Sequence, residues 1–218
     1  MNDRQLQQIS VMQRSARRLD LLINDLLDVS RLDAGTFTLT RSEFDLTVLI
    51  QEMGTAFLPL VDTNEQLLNI SYPDGEFWIE ADRDRIAQVI TNLLSNASKY
   101  SLPGAEIALA MEAGGESISI TVTDSGIGMN QETLENVFTA FYRADDEHTL
   151  SQSGSGLGMM IVKNIVELHE GTITVSSKKG VGTTVRVVLP EYSTHPSAGH
   201  IEAERAALEP VPPRSRLE

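Results

Sequence analysis

Asn92, Asn96, Lys99 and Tyr100 stand at i, i+4, i+7 and i+8, a spacing that sets side chains on one side of a helix. Two amides and an ammonium on one face can hold a triphosphate and its cation. An amide oxygen is a hard, neutral ligand, suited to a Mg²⁺ that keeps several waters. A solvated polar face has the same spacing, so this segment alone leaves both readings open. Asp124-Ser125-Gly126-Ile127-Gly128-Met129 directly follows a strand pattern. Its glycines allow positive φ and close backbone approach to a ligand, and Asp124 offers an acceptor to an exocyclic amine. Asp-x-Gly-x-Gly is also a common plain turn. Gly154-Ser155-Gly156-Leu157-Gly158 opens a helical pattern and would present free N–H groups and a positive dipole end to an anion. It is not the Gly-x-Gly-x-x-Gly dinucleotide fingerprint, it lacks the strand that should precede one, and the chain has no Gly-Lys-Ser/Thr phosphate loop. Phe138-Thr139-Ala140-Phe141-Tyr142-Arg143 forms an aromatic hinge before the polar stretch 144–153, with local packing the expected role of Phe138 and Phe141.

These segments need a scaffold. The first is a heptad seam, Ile9, Met12, Ala16, Leu19, Ile23 and Leu26, widened by Leu22, Leu27 and Val29. That stripe predicts a bundle-forming helix of about 30 residues, ended by Gly35. Thr36 to Thr40 alternates like a short strand. Asp45 and Asp82 are predicted to cap helices, one to about Phe57 and one of about 18 residues carrying the Asn92 face. Three hairpins are expected: Leu67–Ser71 with Glu76–Ala81, Glu106–Met111 with Ser117–Val122 through Gly114-Gly115, and Thr172–Ser176 with Thr183–Leu189 around Lys179-Gly180. A helix from Leu157 to His169 lies between the last two. The pattern predicts an α+β fold, a two-layer α/β sandwich with a mixed sheet covered by helices on one face, preceded by the long helix. The domain reading is residues 1–35 as a partial helical domain, 36–190 as the sandwich, and 191–218 as a flexible, proline-bearing tail.

Composition narrows the function. The 218 residues carry 17 Lys plus Arg against 31 Asp plus Glu, a net charge of −14, which disfavours general binding to nucleic acid or anionic membrane. No cysteine is present, which excludes disulfides, thiol catalysis and zinc–thiolate sites. No apolar run reaches the ~20 residues of a membrane span. The expected location is cytoplasmic, any anchor lying outside this chain.

The order Asn-rich helix, Asp-x-Gly-x-Gly, Phe-x-x-Phe-Tyr-Arg and Gly-x-Gly-Leu-Gly resembles the ATP-binding domain of bacterial sensor histidine kinases, in the superfamily shared with gyrase B, a group of heat-shock chaperones and MutL. The likeness covers roughly residues 40–190, and Leu21 to Gly35 resembles the second helix of that family's dimerisation and phosphoacceptor hairpin. The resemblance implies ATP and Mg²⁺ as cofactors, with Asn96 as metal ligand and Asn92 and Lys99 at the phosphates or metal shell. It puts Tyr100 against the nucleotide, Asp124 on the adenine amino group, and Gly126, Gly128 and Met129 around the base. It makes 144–153 a lid, mobile without nucleotide, with Arg143 beside it. Gly154, Gly156, Leu157 and Gly158 fall at the phosphates and Thr183 near the base. It implies γ-phosphoryl transfer to a histidine, a homodimer, the family's own phosphoacceptor hairpin as partner, and a response-regulator receiver domain. Hydrolases of the superfamily carry a Glu base where this chain has Asn92, which cannot take a proton at neutral pH. His148, His169, His195 and His200 all lack a phosphoacceptor context, so none is assigned a catalytic role. The chain therefore resembles a fragment starting at the second hairpin helix, or a protein without the first. A hydrolase of the same superfamily and a non-catalytic nucleotide-sensing or regulator-docking module are the alternatives.

Overall fold

The computed structural model describes residues 3–144 and 154–190. Helix α1 (Asp3–Asp33) is followed by β1 (Ser42–Asp45), α2 (Leu46–Thr63), β2 (Leu67–Ser71), β3 (Trp78–Ala81) and α3 (Arg83–Lys99). Then come β4 (Glu106–Gly114), β5 (Ser117–Asp124), the short α4 (Gln131–Asn136), α5 (Gly158–Leu168), β6 (Thr172–Lys178) and β7 (Gly182–Pro190). Five strands form one mixed sheet in the order β2-β4-β5-β7-β6, with only β2 and β4 parallel. Period-two alternation sends Ile107, Leu109, Met111, Ile118, Ile120, Val122, Val187 and Leu189 to the covered face, where α2, α3 and α5 bury them. The result is the expected two-layer α+β sandwich.

Local chemistry sets most boundaries. The Asp45 carboxylate accepts from the Thr47 N–H and the Asp82 carboxylate from the Arg85 N–H, so both capped helices start where the sequence places them. Gly115 and Gly180 turn their hairpins at positive φ. Helix α2 runs past the expected stop at Phe57 to Thr63 with Pro59 inside it, because Val61 in its last turn is buried in the core.

Two expectations are corrected. Residues 36–41 form no strand: no neighbouring strand receives them, and the Thr40 N–H is satisfied by the Asp82 carboxylate at 2.8 Å. Nor do β2 and β3 form a hairpin. Strand β2 pairs with β4, and β3 pairs with β1 in a separate antiparallel ribbon, Ser42 opposite Ala81. Asp45 Oδ1 accepts the Phe77 N–H at 3.1 Å, and the Phe77 carbonyl accepts from the Leu46 N–H, which holds the start of β3 at the start of α2. The short α4 buries nothing and so has no apolar period to announce it; its one sequence signal is the Asn130 cap on Thr133.

Helix α1 is tied down at its C-terminal end. Asp28, 5% exposed, pairs with Arg85 at 2.8 Å and accepts from Gln88 at 3.0 Å, while the Arg85 guanidinium stacks on Phe37. Its seam residues Met12, Leu19, Ile23 and Leu26 stay exposed. No described helix is long and apolar enough to cross a membrane.

His169 is the histidine the structure describes, and it is structural. Its Nε2 accepts the Asp82 N–H at 3.0 Å and its Nδ1 donates to the Ile165 carbonyl at 2.8 Å, so both nitrogens are used by the neutral ring. Burial lowers its pKa below 6.5, partly opposed by the Ile165 carbonyl. A lowered folded-state pKa means the unfolded chain binds the extra proton first. The stability it contributes is complete above about pH 6.5 and is lost as pH falls. In thermal melts from about pH 8 to about pH 5, the wild type should lose more Tm than His169→Gln, which starts lower and stays flatter.

Candidate functional site

A cavity of about 370 Å³ opens between the C-terminal half of α3, the loop after β5, and the glycine turn before α5. Amphipathic α3 builds one wall. Ile86, Val89, Ile90, Leu93, Leu94 and Ala97 are buried, and this rotation turns Asn92, Asn96, Lys99 and Tyr100 to the cavity. Val122, Val175 and Val185 from three adjacent strands supply apolar lining, joined by Ile127 and Met129.

At one end stands Asp124, the last residue of β5. Its Oδ1 accepts the Gly126 N–H at 2.9 Å and the Thr183 N–H at 3.2 Å. Burial raises its pKa, and those two N–H groups act against the rise. Also in the lining, the Asn92 Nδ2 is buried without a hydrogen-bond partner. An orphaned amide donor is costly, on the order of 1–3 kcal/mol, and a ligand oxygen would relieve it. Gly158, the first residue of α5, faces this amide: a Cβ there would lie 3.6 Å from Asn92 Oδ1. A Cβ at Gly154 would stand 2.6 Å from the Lys99 Nζ. The glycines keep open the space beside the polar side chains.

The structure brings together at the cavity Asn92, Asn96, Lys99, Tyr100, Asp124, Gly128, Met129, Arg143, Gly154, Gly156, Gly158 and Thr183. Two of the residues expected at the site do not line it. Leu157 is 2% exposed, packed in the core as it leads into α5. Gly126 lies behind the wall, where a Cβ would strike the Tyr100 carbonyl oxygen, so its small size lets the loop pack on the end of α3. Phe141 is also corrected: the residue is 63% exposed and its φ is +61°, while its N–H donates to the Gly156 carbonyl at 3.0 Å. Its backbone, not its ring, packs. Residues 145–153 of the expected lid lie outside the described residues, as do the tail 191–218 and the other three histidines.

Sequence reasoning missed Leu22 and Asp25, which α1 inserts into the cavity wall. Asp25 Oδ2 accepts the Ser155 hydroxyl at 3.0 Å. Burial raises the Asp25 pKa, the Ser155 bond opposes this, and the charge of Asp28 adds to it. No local pattern links positions 130 residues apart.

Residues 81–193 match the family model described as histidine kinase-, DNA gyrase B-, and HSP90-like ATPase. The chain belongs to this ATPase family. Within it, the chain carries the ATPase catalytic domain of a sensor histidine kinase. It is 34% identical over 183 residues to the sensor protein SrrB of Staphylococcus aureus strain N315, covering 84% of this chain and 31% of that protein. The chain thus spans about a third of its curated relative. The catalytic domain of histidine kinase ThkA, in a nucleotide-free form, superposes with a TM-score of 0.62 at 25% identity, covering 70% of this chain and 99% of that one. Full-length ShkA in complex with AMPPNP shares the fold at a TM-score of 0.75 and 23% identity, over 89% of this chain and 40% of that one.

One glycine of the ATPase domain controls Asp124 directly. Gly182 has φ +137° and a Cβ there would fall on the Asp124 carbonyl oxygen. Gly180, two residues away at φ +76°, has open space around it. Gly182→Ala should cost at least about 2 kcal/mol, from backbone strain plus displaced β5, and Gly180→Ala only about 1 kcal/mol from strain. Urea unfolding midpoints of the two variants measure the difference.

Proposed function

We propose that this domain positions Mg-ATP for transfer of its γ-phosphoryl to a histidine on the partner helix of a dimerisation hairpin, a helix that is not among these 218 residues. The observation that carries this reading is the buried, unpartnered Asn92 Nδ2 in a cavity lined by amides, an ammonium, a glycine turn, a carboxylate and apolar strand residues. Asn96 would hold a Mg²⁺ through its amide oxygen, with Asn92 and Lys99 at the phosphates. Among the described residues no cluster of three or more His, Cys, Asp or Glu could hold a metal. The cation neutralises charge on the phosphates when bound. Gly154, Gly156 and Gly158 let the chain approach the phosphates, with Arg143 beside them. Tyr100 packs on the nucleotide, Gly128 and Met129 shape the base pocket, and Asp124 accepts the adenine amino group with Thr183 next to it. Gly126 and Leu157 act by packing the walls.

The chemistry is in-line displacement: the histidine nitrogen forms a bond to phosphorus as the bond to the ADP oxygen breaks. The protein contributes positioning and electrostatic stabilisation. Asn92 cannot deprotonate water at neutral pH, which favours transfer over hydrolysis. Helix α1, with its seam exposed, serves as the second hairpin helix of a homodimer. The phosphohistidine then supplies a response-regulator receiver domain, in the cytoplasm where ATP is found.

Incubated with Mg-ATP and a supplied histidine-bearing hairpin, the chain should place acid-labile, base-stable phosphate on the hairpin and none on itself. Asn96→Ala should slow this at least about 10²-fold, the scale of losing one electrostatic contact in a reacting site. Label on the chain alone, or phosphate released faster than transferred, would overturn the reading.

A further inference from the structure

Gln66 lies between α2 and β2, 5% exposed and outside the cavity lining. Its backbone N–H donates to the Val61 carbonyl at 2.8 Å, and the Glu65 carbonyl before it accepts the Gly104 N–H at 2.6 Å. An amide side chain has two N–H donors and one oxygen acceptor, and here all of them are used. Nε2 donates to the Ser98 carbonyl at 2.8 Å and to the Ser101 carbonyl at 3.0 Å. Oε1 accepts the Ser98 hydroxyl at 2.6 Å, and that hydroxyl accepts from the Asn64 amide at 2.9 Å.

The carbonyls in the last turn of a helix have no partner within it. Gln66 supplies one for Ser98 in the last turn of α3 and grips Ser101 just beyond it. Those two carbonyls bracket Lys99 and Tyr100, which line the cavity. The Tyr100 carbonyl in turn accepts the Ile127 N–H at 3.0 Å and takes the place that a Cβ on Gly126 would need. Ile127 lines the cavity from the loop after β5. One buried side chain therefore holds the end of α3 and, through the Tyr100 peptide, the loop opposite.

We propose that Gln66 is a positioning residue for the nucleotide: it clamps the turn that carries Lys99 and Tyr100, and so fixes the α3 wall against the Ile127 loop before a ligand arrives. The inference rests on reading the cavity as the ATP site. A ligand that touches both walls binds more tightly when neither has to be ordered on arrival. Without the Gln66 amide, the Ser98 and Ser101 carbonyls lose a donor and the turn between them is free to fray.

Gln66→Met keeps the length of the side chain and removes both donors and the acceptor. In variant protein that circular dichroism shows to be folded, Mg-ATP should bind roughly tenfold more weakly, the scale of one hydrogen bond lost from a buried site. Asn64→Ala loses the bond to the Ser98 hydroxyl but none to the carbonyls. It should lower Tm and leave the Mg-ATP Kd unchanged. In a Lys99→Ala background, Gln66→Met should cost less, because part of what it positions is gone. Unchanged affinity in folded Gln66→Met overturns the inference. An equal loss in Asn64→Ala, or an undiminished loss in the Lys99→Ala background, does the same, since either makes the glutamine merely structural. If Gln66→Met does not fold, hydrogen exchange in the wild type decides. The N–H groups of Tyr100, Ser101 and Ile127 should exchange slowly before any nucleotide is added. Fast exchange there that slows only with Mg-ATP marks a turn ordered by the ligand and is fatal to the proposal. Wild-type protein that binds no Mg-ATP removes the ATP-site reading, and the inference with it.

Discussion

Burial of Ile86, Val89, Ile90, Leu93, Leu94 and Ala97 against the sheet leaves α3 one rotation about its axis. A fully buried aliphatic side chain is worth about 1.5–3 kcal/mol, so rolling the helix by a single position would expose several of them and cost on the order of the whole stability of a domain. Asn92, Asn96 and Lys99 sit on the remaining side. Their placement is thus decided by the apolar face that packs on the sheet, and the cost of an unpartnered Asn92 amide is carried by that face. The strand floor obeys the same logic. Val122 and Val185 face the helices because their neighbours alternate outward, and the alternation ends at Asp124, where β5 gives way to the glycine loop.

Charge works against this site at a distance and for it nearby. A chain with a net charge of −14 repels a polyphosphate. On the proposed reading, the ammonium of Lys99, the guanidinium of Arg143, the amides of α3 and the N–H groups at the start of α5 would be the short-range groups that overcome it. Asp25 runs the other way, since α1 sets a carboxylate in the same wall as the glycine turn. It is held there by the Ser155 hydroxyl, and Ser155 also accepts the Leu157 N–H at 3.2 Å. The long helix and the glycine turn consequently share one serine. A displacement of either breaks a hydrogen bond to a charged group, worth about 1.5–3 kcal/mol.

Legibility in the sequence followed the range of the interaction. Asp45 and Asp82 cap helices through bonds two and three residues away, and both were readable. The hairpins through Gly115 and Gly180 were readable for the same reason. The parallel pairing of β2 with β4, and the ribbon of β1 with β3, depend on contacts between distant positions, as in Leu67 opposite Glu106 and Ser42 opposite Ala81. Nothing in either strand announces its partner. The cavity divides along the same line. The amide face of α3 and the glycine turns were visible as local patterns. Asp25 was not, because an isolated Asp in a heptad helix carries no local mark of what it will meet.

Gly126 and Leu157 show what a motif means physically. Both stand inside runs that read as ligand-binding, and neither reaches the cavity. Gly126 is small because the Tyr100 carbonyl occupies the place of its Cβ, and the Ile127 N–H then bonds that same carbonyl at 3.0 Å. Leu157 anchors the glycine turn by filling the core ahead of α5. A glycine turn without such an anchor would have its N–H groups but no fixed direction in which to aim them. Binding motifs of this kind record two demands in one run of residues, access for the ligand and fixation of the backbone that receives it. Substituting the anchoring residues should therefore impair the site as surely as substituting those that line it.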